Sequence, residues 1–149
     1  MFKEKIHTGI DINAAPALVW SVLADLARYP EWNPMIRSAA GELKRGSRLT
    51  LRFNPPGTGE TVFCPKLMVV DPVRELRWQG RPGFPLLFES VHVFIIEPAA
   101  AGGSRLTHDM LFYGLLIPLA RARIRRSIEG PFVLMNKALK AQAEKSNGQ

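Results

Sequence analysis

Between residues 36 and 114 the chain is a succession of short alternating runs, and this pattern restricts the fold more than any other feature. The runs fall at roughly 36–43, 47–54, 61–71, 74–80, 86–98 and 104–114. Between them stand RGS, NPPGTG, DPVR, GRPGFP and PAAAGGS, and these are residues that favour turns. Connections this short join neighbouring antiparallel strands, because a parallel pair needs a crossover of about a dozen residues or more. Residues 5–12, KIHTGIDI, add a strand ahead of the meander. Ile6, Thr8, Ile10 and Ile12 form one face of it, and Lys5, His7, Gly9 and Asp11 the other.

Helical periodicity flanks the strands. In NAAPALVWSVLADLARYP, Pro16 suits a first turn, Asn13 is a candidate cap, and Leu18, Val22, Leu23 and Leu26 form an apolar stripe. This helix is expected to end before Pro30. From Ile117 onward, Ile124, Ile128, Phe132, Met135 and Leu139 recur at three- or four-residue spacing over several turns. Gly130 and Pro131 are expected to interrupt that helix with a kink, and the tail AEKSNGQ to fray. The intervening stretch YPEWNPMI (29–36) reads as a stiff reversal between the first helix and the second strand. Tyr29 and Trp32 suit a half-wet rim, and Asn33 can tie the turn.

Strand, helical segment, six strands, long helix is an α+β order. A sheet this broad has more apolar face than one helix can cover flat, so curling around the last helix leaves a cavity between them. The length of 149 residues fits one domain, 1–149. No apolar run approaches a membrane span, and MFKEKIHTGIDI lacks a secretory h-region, so the expected location is cytoplasmic. The lone cysteine, Cys64, excludes an internal disulfide and cannot alone make a zinc site. Net charge is +7, yet apart from RARIRR (Arg121, Arg123, Arg125, Arg126) the positive charges are mostly scattered, which does not point to nucleic acid.

The stretches INAAPALVWSVLADLARYPEWNPMI, FCPKLMVVDPVRELRW, HVFIIEP, GGSRLTH, FYGLLIP and MNKALKAQAE resemble the START-like or SRPBCC superfamily. Within it they are most similar to the polyketide cyclase/dehydrase-like bacterial branch. The resemblance implies a helix-grip fold: a curved seven-stranded antiparallel sheet around a long C-terminal helix, with one or two short helices between strands 1 and 2. It also implies a hydrophobic pocket between sheet and helix. The superfamily holds carriers, cyclases and hydroxylase components, so it does not by itself name an activity.

Alternation sorts the candidate pocket residues. Phe63, Trp78, Phe88, Phe94, Met110, Phe112, Phe132 and Met135 form the expected wall, and Trp32 is the residue of its segment most suited to meet a ligand. Val69 is placed on the inward face with Leu67. His92 and His108 stand on otherwise apolar stripes, where each needs a hydrogen-bond partner from backbone, water or Asn136. Two readings stay open for them: satisfied core histidines, or ligand anchors and proton-transfer groups. Members of the superfamily often carry an acid two residues before the Phe of F-x-G; here that position is Met110, so a carboxylate base is missing. Ser90 and His92 lack a third member for a nucleophilic triad, and no H-x-x-x-H or phosphate-loop spacing occurs.

These observations favour a binding protein for a hydrophobic or amphipathic small molecule, with His92, His108 and Asn136 orienting it. No cofactor and no metal are expected. Two alternatives are a cyclase- or dehydratase-type enzyme using the histidines, and a partner of membrane surfaces acting through the arginines. A solvated basic helix face is the simpler account of those arginines. Nothing in the residues specifies an oligomer.

Overall fold

The alternating runs pair as antiparallel strands, but in two sheets rather than one. The structure, a computed structural model, describes residues 3–54, 59–81 and 88–147. Its elements are β1 (Lys3–Ile12), α1 (Pro16–Ala24), α2 (Tyr29–Trp32), β2 (Ile36–Ala40), β3 (Thr50–Phe53), β4 (Thr61–Phe63), β5 (Lys66–Asp71), β6 (Glu75–Gly80), β7 (Glu89–Pro98), β8 (Ser104–Tyr113) and α3 (Ile117–Asn147). One sheet has the order β1-β8-β7-β6-β5 and the other β2-β3-β4. The architecture is that of a helix grip with eight strands among the described residues, where seven are expected. The parts of the NPPGTG and GRPGFP turns at 55–58 and 82–87, the latter including the start of the expected run 86–98, lie outside the described residues.

The extra strand arises because the run 61–71 breaks at Cys64–Pro65 into β4 and β5. Proline has no N–H for a ladder, so pairing stops there. A strap at 46–49 then stitches the two sheets together. Leu49 N–H donates to the Pro65 carbonyl at 2.9 Å, Leu67 N–H to Ser47 at 2.8 Å, and Gly46 N–H to Leu67 at 2.9 Å. A register shift between Leu67 and Val69 corrects the alternation: beyond it Val70, opposite Leu76, packs on the core in place of Val69.

The first helical segment is more broken than its stripe suggests. α1 stops at Ala24, a 3₁₀ turn covers Leu26–Arg28, and Tyr29–Trp32 form the single turn α2. α1 thus ends before Pro30, as expected, but Pro30 is not what stops it. The proline lies in the first turn of α2, where a missing N–H has no partner to lose. Asn13 does not cap α1. Ala15 is the N-cap, and the Asn13 N–H donates to the Glu144 carboxylate of α3 at 2.9 Å. Asn33 does tie the turn: its Oδ1 accepts from Met35 N–H at 2.9 Å and Ile36 N–H at 2.8 Å. Tyr29 is fully buried, its hydroxyl donating to the Leu23 carbonyl at 2.6 Å.

Helix α3 runs unbroken through Gly130–Pro131, where an interruption is expected. Phe132, Met135, Leu139 and Ala143 are each fully buried just beyond the proline. Their burial, at about 2 kcal/mol for each large side chain, outweighs the roughly 3 kcal/mol that an interior proline costs. The helix also holds through Asn147, with Glu144 bonded to Lys140 and to Asn13, so most of the tail expected to fray is helical; Gly148 and Gln149 lie outside the described residues. Along its length the burial is uneven. Ile124 and Ile128 in the first half are only half-buried, against full burial in the second. The sheet grips α3 at Ile117, which packs with Ile6 and Phe112, and again along its C-terminal half, while the stretch around Ile124 and Ile128 stands off. Among the described residues no helix is long and apolar enough to cross a membrane.

Candidate functional site

Where α3 stands off, a cleft of about 410 Å³ opens between its first half and the sheets. Strands β3 and β4 supply Phe53, Thr61 and Phe63. The start of β7 and the end of β8 supply Ser90, Met110 and Phe112, with Phe88 just ahead of β7. Helix α3 closes the other side with Ala120, Arg123, Ile124, Ser127 and Ile128. Phe88 and Phe112 meet at 5.5 Å between ring centroids. The Phe63 ring lies on Gly80: a Cβ there would sit 2.3 Å from two ring carbons, so only glycine lets the ring down onto β6. The walls are apolar, and the polar groups that interrupt them are three hydroxyls and one guanidinium. An apolar wall with a few polar groups is the usual composition of a small-molecule cleft.

Of the residues expected to face a ligand, Phe63, Phe88, Met110 and Phe112 line this cleft. Trp78, His92, Phe94, His108, Phe132, Met135 and Asn136 lie behind its floor in the packed interior, each 3% exposed or less. Trp32 lines a separate, smaller cleft of about 250 Å³ with Ser21, Val22, Asp25, Arg28, Gln142 and Ser146. Phe53, Ile124 and Ile128 carried a visible signal, since each stands on an apolar stripe. Thr61, Ala120 and Ser127 carried none, because small or polar residues at a cleft mouth look like any exposed surface.

The two histidines form one hydrogen-bonded unit. His92 Nε2 and His108 Nε2 are 2.6 Å apart, His108 Nδ1 and Asn136 Oδ1 2.7 Å, and Asn136 Nδ2 and Thr8 Oγ1 2.9 Å. The Thr8 hydroxyl donates to the His108 carbonyl at 2.5 Å. That last bond sets every proton in the chain. With its hydrogen committed, Thr8 Oγ1 accepts from the Asn136 amide, so Asn136 turns Oδ1 to His108. His108 must then carry its hydrogen on Nδ1 and accept at Nε2 from the Nε2–H of His92. The chain therefore fixes His108 as the neutral Nδ1–H tautomer and places a hydrogen on His92 Nε2. Their planes differ by 15°, so the rings lie head to head, and Phe132 of α3 covers His108 at 3.9 Å and 11°. Burial drives the His92 pKa well below its ordinary value, with the charge of His108 adding to it, and burial lowers that of His108 to about 3. Thr8, not singled out beforehand, is the residue that fixes the unit.

The basic segment divides into distinct roles. Arg121 and Arg125 both reach Glu4 of β1 at 2.5 Å. Arg123 and Arg126 are both exposed, Arg123 bordering the cleft and Arg126 lying outside it. Cys64 is exposed, beside a basic groove formed with Arg48, Lys66 and Arg81. Among the described residues no group of three or more His, Cys, Asp or Glu side chains is placed to hold a metal ion.

Family comparison bears on what such a cleft is for. The model of the family described as polyketide cyclase / dehydrase and lipid transport matches residues 3–147. The chain belongs to this family. As a family member it shares its fold with an aromatase/cyclase of a Streptomyces strain (18% identity, TM-score 0.79, covering 97% of this chain and 95% of that one). It is also similar in fold to norcoclaurine synthase of Thalictrum flavum (16% identity, TM-score 0.75, 98% and 97% covered). A third similar structure is the di-domain StfQ of steffimycin biosynthesis (14% identity, TM-score 0.78), of which this chain spans 52%. No curated protein matches the sequence.

Proposed function

We propose that this family member binds a hydrophobic or amphipathic small molecule, of lipid, polyketide or aromatic type, in the cleft between the sheets and the first half of α3. The apolar cleft of about 410 Å³ carries this reading, being of a size that takes one small ligand. Met110 supports it: where an acid would supply a base, a flexible thioether supplies an adaptable wall. The cyclase- or dehydratase-type alternative would use His92 and His108. Both lie behind the floor, with both nitrogens of His108 and Nε2 of His92 engaged in the Thr8–Asn136 chain, so in the reading proposed here they are structural. Native mass spectrometry of protein purified without detergent tests binding: the wild type should retain an apolar compound, and Met110→Trp, which fills the cleft, should lose it. Equal retention by both, or none by the wild type after incubation with a metabolite extract, counts against the reading.

One observation favours a second role beside this one. Leu115, Leu116 and Leu119 are 54%, 43% and 87% exposed immediately before and within the first turn of α3, next to the arginine segment. Leucines beside cations suit shallow contact with an anionic lipid surface. Sedimentation with phosphatidylserine vesicles should fall in Leu119→Ser and in high salt; binding unaffected by either rejects this role.

A further inference from the structure

The arginines of α3 point to the charge of the ligand. Arg121 and Arg125 are one turn apart and share Glu4 of β1, which holds both side chains against the sheet edge. Arg123 lies between them in sequence, about 200° around the helix from each. It therefore faces the opposite side, with Ala120, Ile124, Ser127 and Ile128, and lines the cleft. Among the described residues no carboxylate pairs with Arg123, and none lines the cleft. The sole charge at this apolar site is thus a guanidinium, flanked by the hydroxyls of Thr61, Ser90 and Ser127.

A guanidinium beside an apolar wall forms stronger charge-assisted bonds than one in open water, and its fork matches a carboxylate in two-point contact. An amphiphile with an acid group can place its apolar body against Phe53, Phe88 and Phe112 while the acid meets Arg123 at the mouth. A cationic amphiphile of the same size would meet only repulsion. We infer that the ligand is an amphipathic carboxylate, with Arg123 as its anchor. This rests on the cleft reading proposed above and adds the charge of the molecule to it.

Three ligands of equal chain length separate the terms: dodecanoate, dodecanol and dodecyltrimethylammonium, each titrated below its micelle concentration by calorimetry. Dodecanoate should bind about tenfold more tightly than dodecanol, and the ammonium amphiphile most weakly. Arg123→Gln should bring dodecanoate to the affinity that dodecanol has in the same variant. Arg126→Gln removes the same charge from the exposed face and should change neither. If dodecanol binds as tightly as dodecanoate to the wild type, or the preference survives Arg123→Gln, or Arg126→Gln erases it equally, the anchor is overturned while the cleft remains a binding site. If none of the three binds, the cleft reading fails and this inference with it.

Discussion

Acidification should unfold this protein earlier than its carboxylates alone would. The perturbation is pH, and the groups it acts on are His92 and His108. In the folded state burial holds the His108 pKa down to about 3 against an ordinary 6.5, and that of His92 well below 6.5. In the unfolded chain both titrate near 6.5. The unfolded state therefore binds protons that the native state refuses, and stability rises with pH across the interval, falling as pH drops below 6.5. For His108 alone, going from pH 7 to pH 5 should cost about 2 kcal/mol; if His92 matches it, the pair costs about 4 kcal/mol. That is a large share of the roughly 5–15 kcal/mol that holds a typical domain together. For His108 the geometry explains why the native state cannot adapt. A proton on His108 Nε2 would face the Nε2–H of His92 across 2.6 Å, while Nδ1 is already committed to Asn136.

Urea unfolding followed by tryptophan fluorescence at half-unit steps from pH 7 to pH 5 measures the effect. Stopping at pH 5 matters. The paired carboxylates of Glu4, Glu31 and Glu144 have lowered pKa values, so their stabilisation is lost only below the ordinary carboxylate range. A His7→Gln background removes the third histidine, which bonds Asp109 on the outer face at 2.7 Å. In that background His92→Phe should roughly halve the slope of stability against pH, whatever it does to stability at pH 7. A free energy equal at pH 7 and pH 5 to within about 0.5 kcal/mol would refute the buried neutral pair, as would a slope unchanged by His92→Phe.

Three further perturbations follow from the same contacts. Asn136→Ala removes the acceptor of His108 Nδ1–H and the donor to Thr8, and should lower the free energy of urea unfolding by about 2–3 kcal/mol. Gly80→Ala drives a methyl into the Phe63 ring; displacing it should cost about 1–3 kcal/mol in the same assay and weaken dodecanol binding in calorimetry. Trp32→Ala should lower the thermal midpoint, at a cost of about 2 kcal/mol for a half-buried indole, yet leave dodecanol affinity unchanged, because Trp32 lines a different cleft.

The element order was legible because period alone distinguishes strands from helices. Ile6, Thr8, Ile10 and Ile12 share the inner face of β1 as their alternation implies, and Ser90, His92, Phe94 and Ile96 are all buried on β7. Departures came where backbone chemistry competes with side-chain pattern. Pro65 splits one alternating run into two strands, a bulge moves Val70 inward in place of Val69, and packing carries α3 through Pro131. The site was harder to read. An inward-facing stripe identifies which residues leave water, not whether they meet a ligand or one another. That is why Phe63 and Phe112, on the cleft, look no different in sequence from Phe94 and Phe132, behind it.

Which of those outcomes a residue meets is decided by its position along α3. At the C-terminal half, Phe132, Met135 and Asn136 descend into the sheet, and the polar groups they cover are satisfied through Thr8. Four-residue spacing should carry the same stripe to Ile128 and Ile124, but there the facing strands supply Ser90 and Met110, and the rings of Phe88 and Phe112 line the gap without filling it. Met110 sits opposite His92 in the β7–β8 register, and Ser90 opposite Phe112, so the floor changes from packed to lined within two residues. The neutral histidine unit stands at that boundary. It fixes β7, β8, β1 and α3 relative to one another immediately behind the cleft, and so holds the cleft walls apart at a defined separation. In the reading proposed here, the chemistry most suggestive of catalysis serves to position an apolar site. Loosening it by acid or by Asn136→Ala should therefore weaken dodecanol binding before the protein unfolds, whereas a helix held only by its apolar stripe would lose binding and fold together.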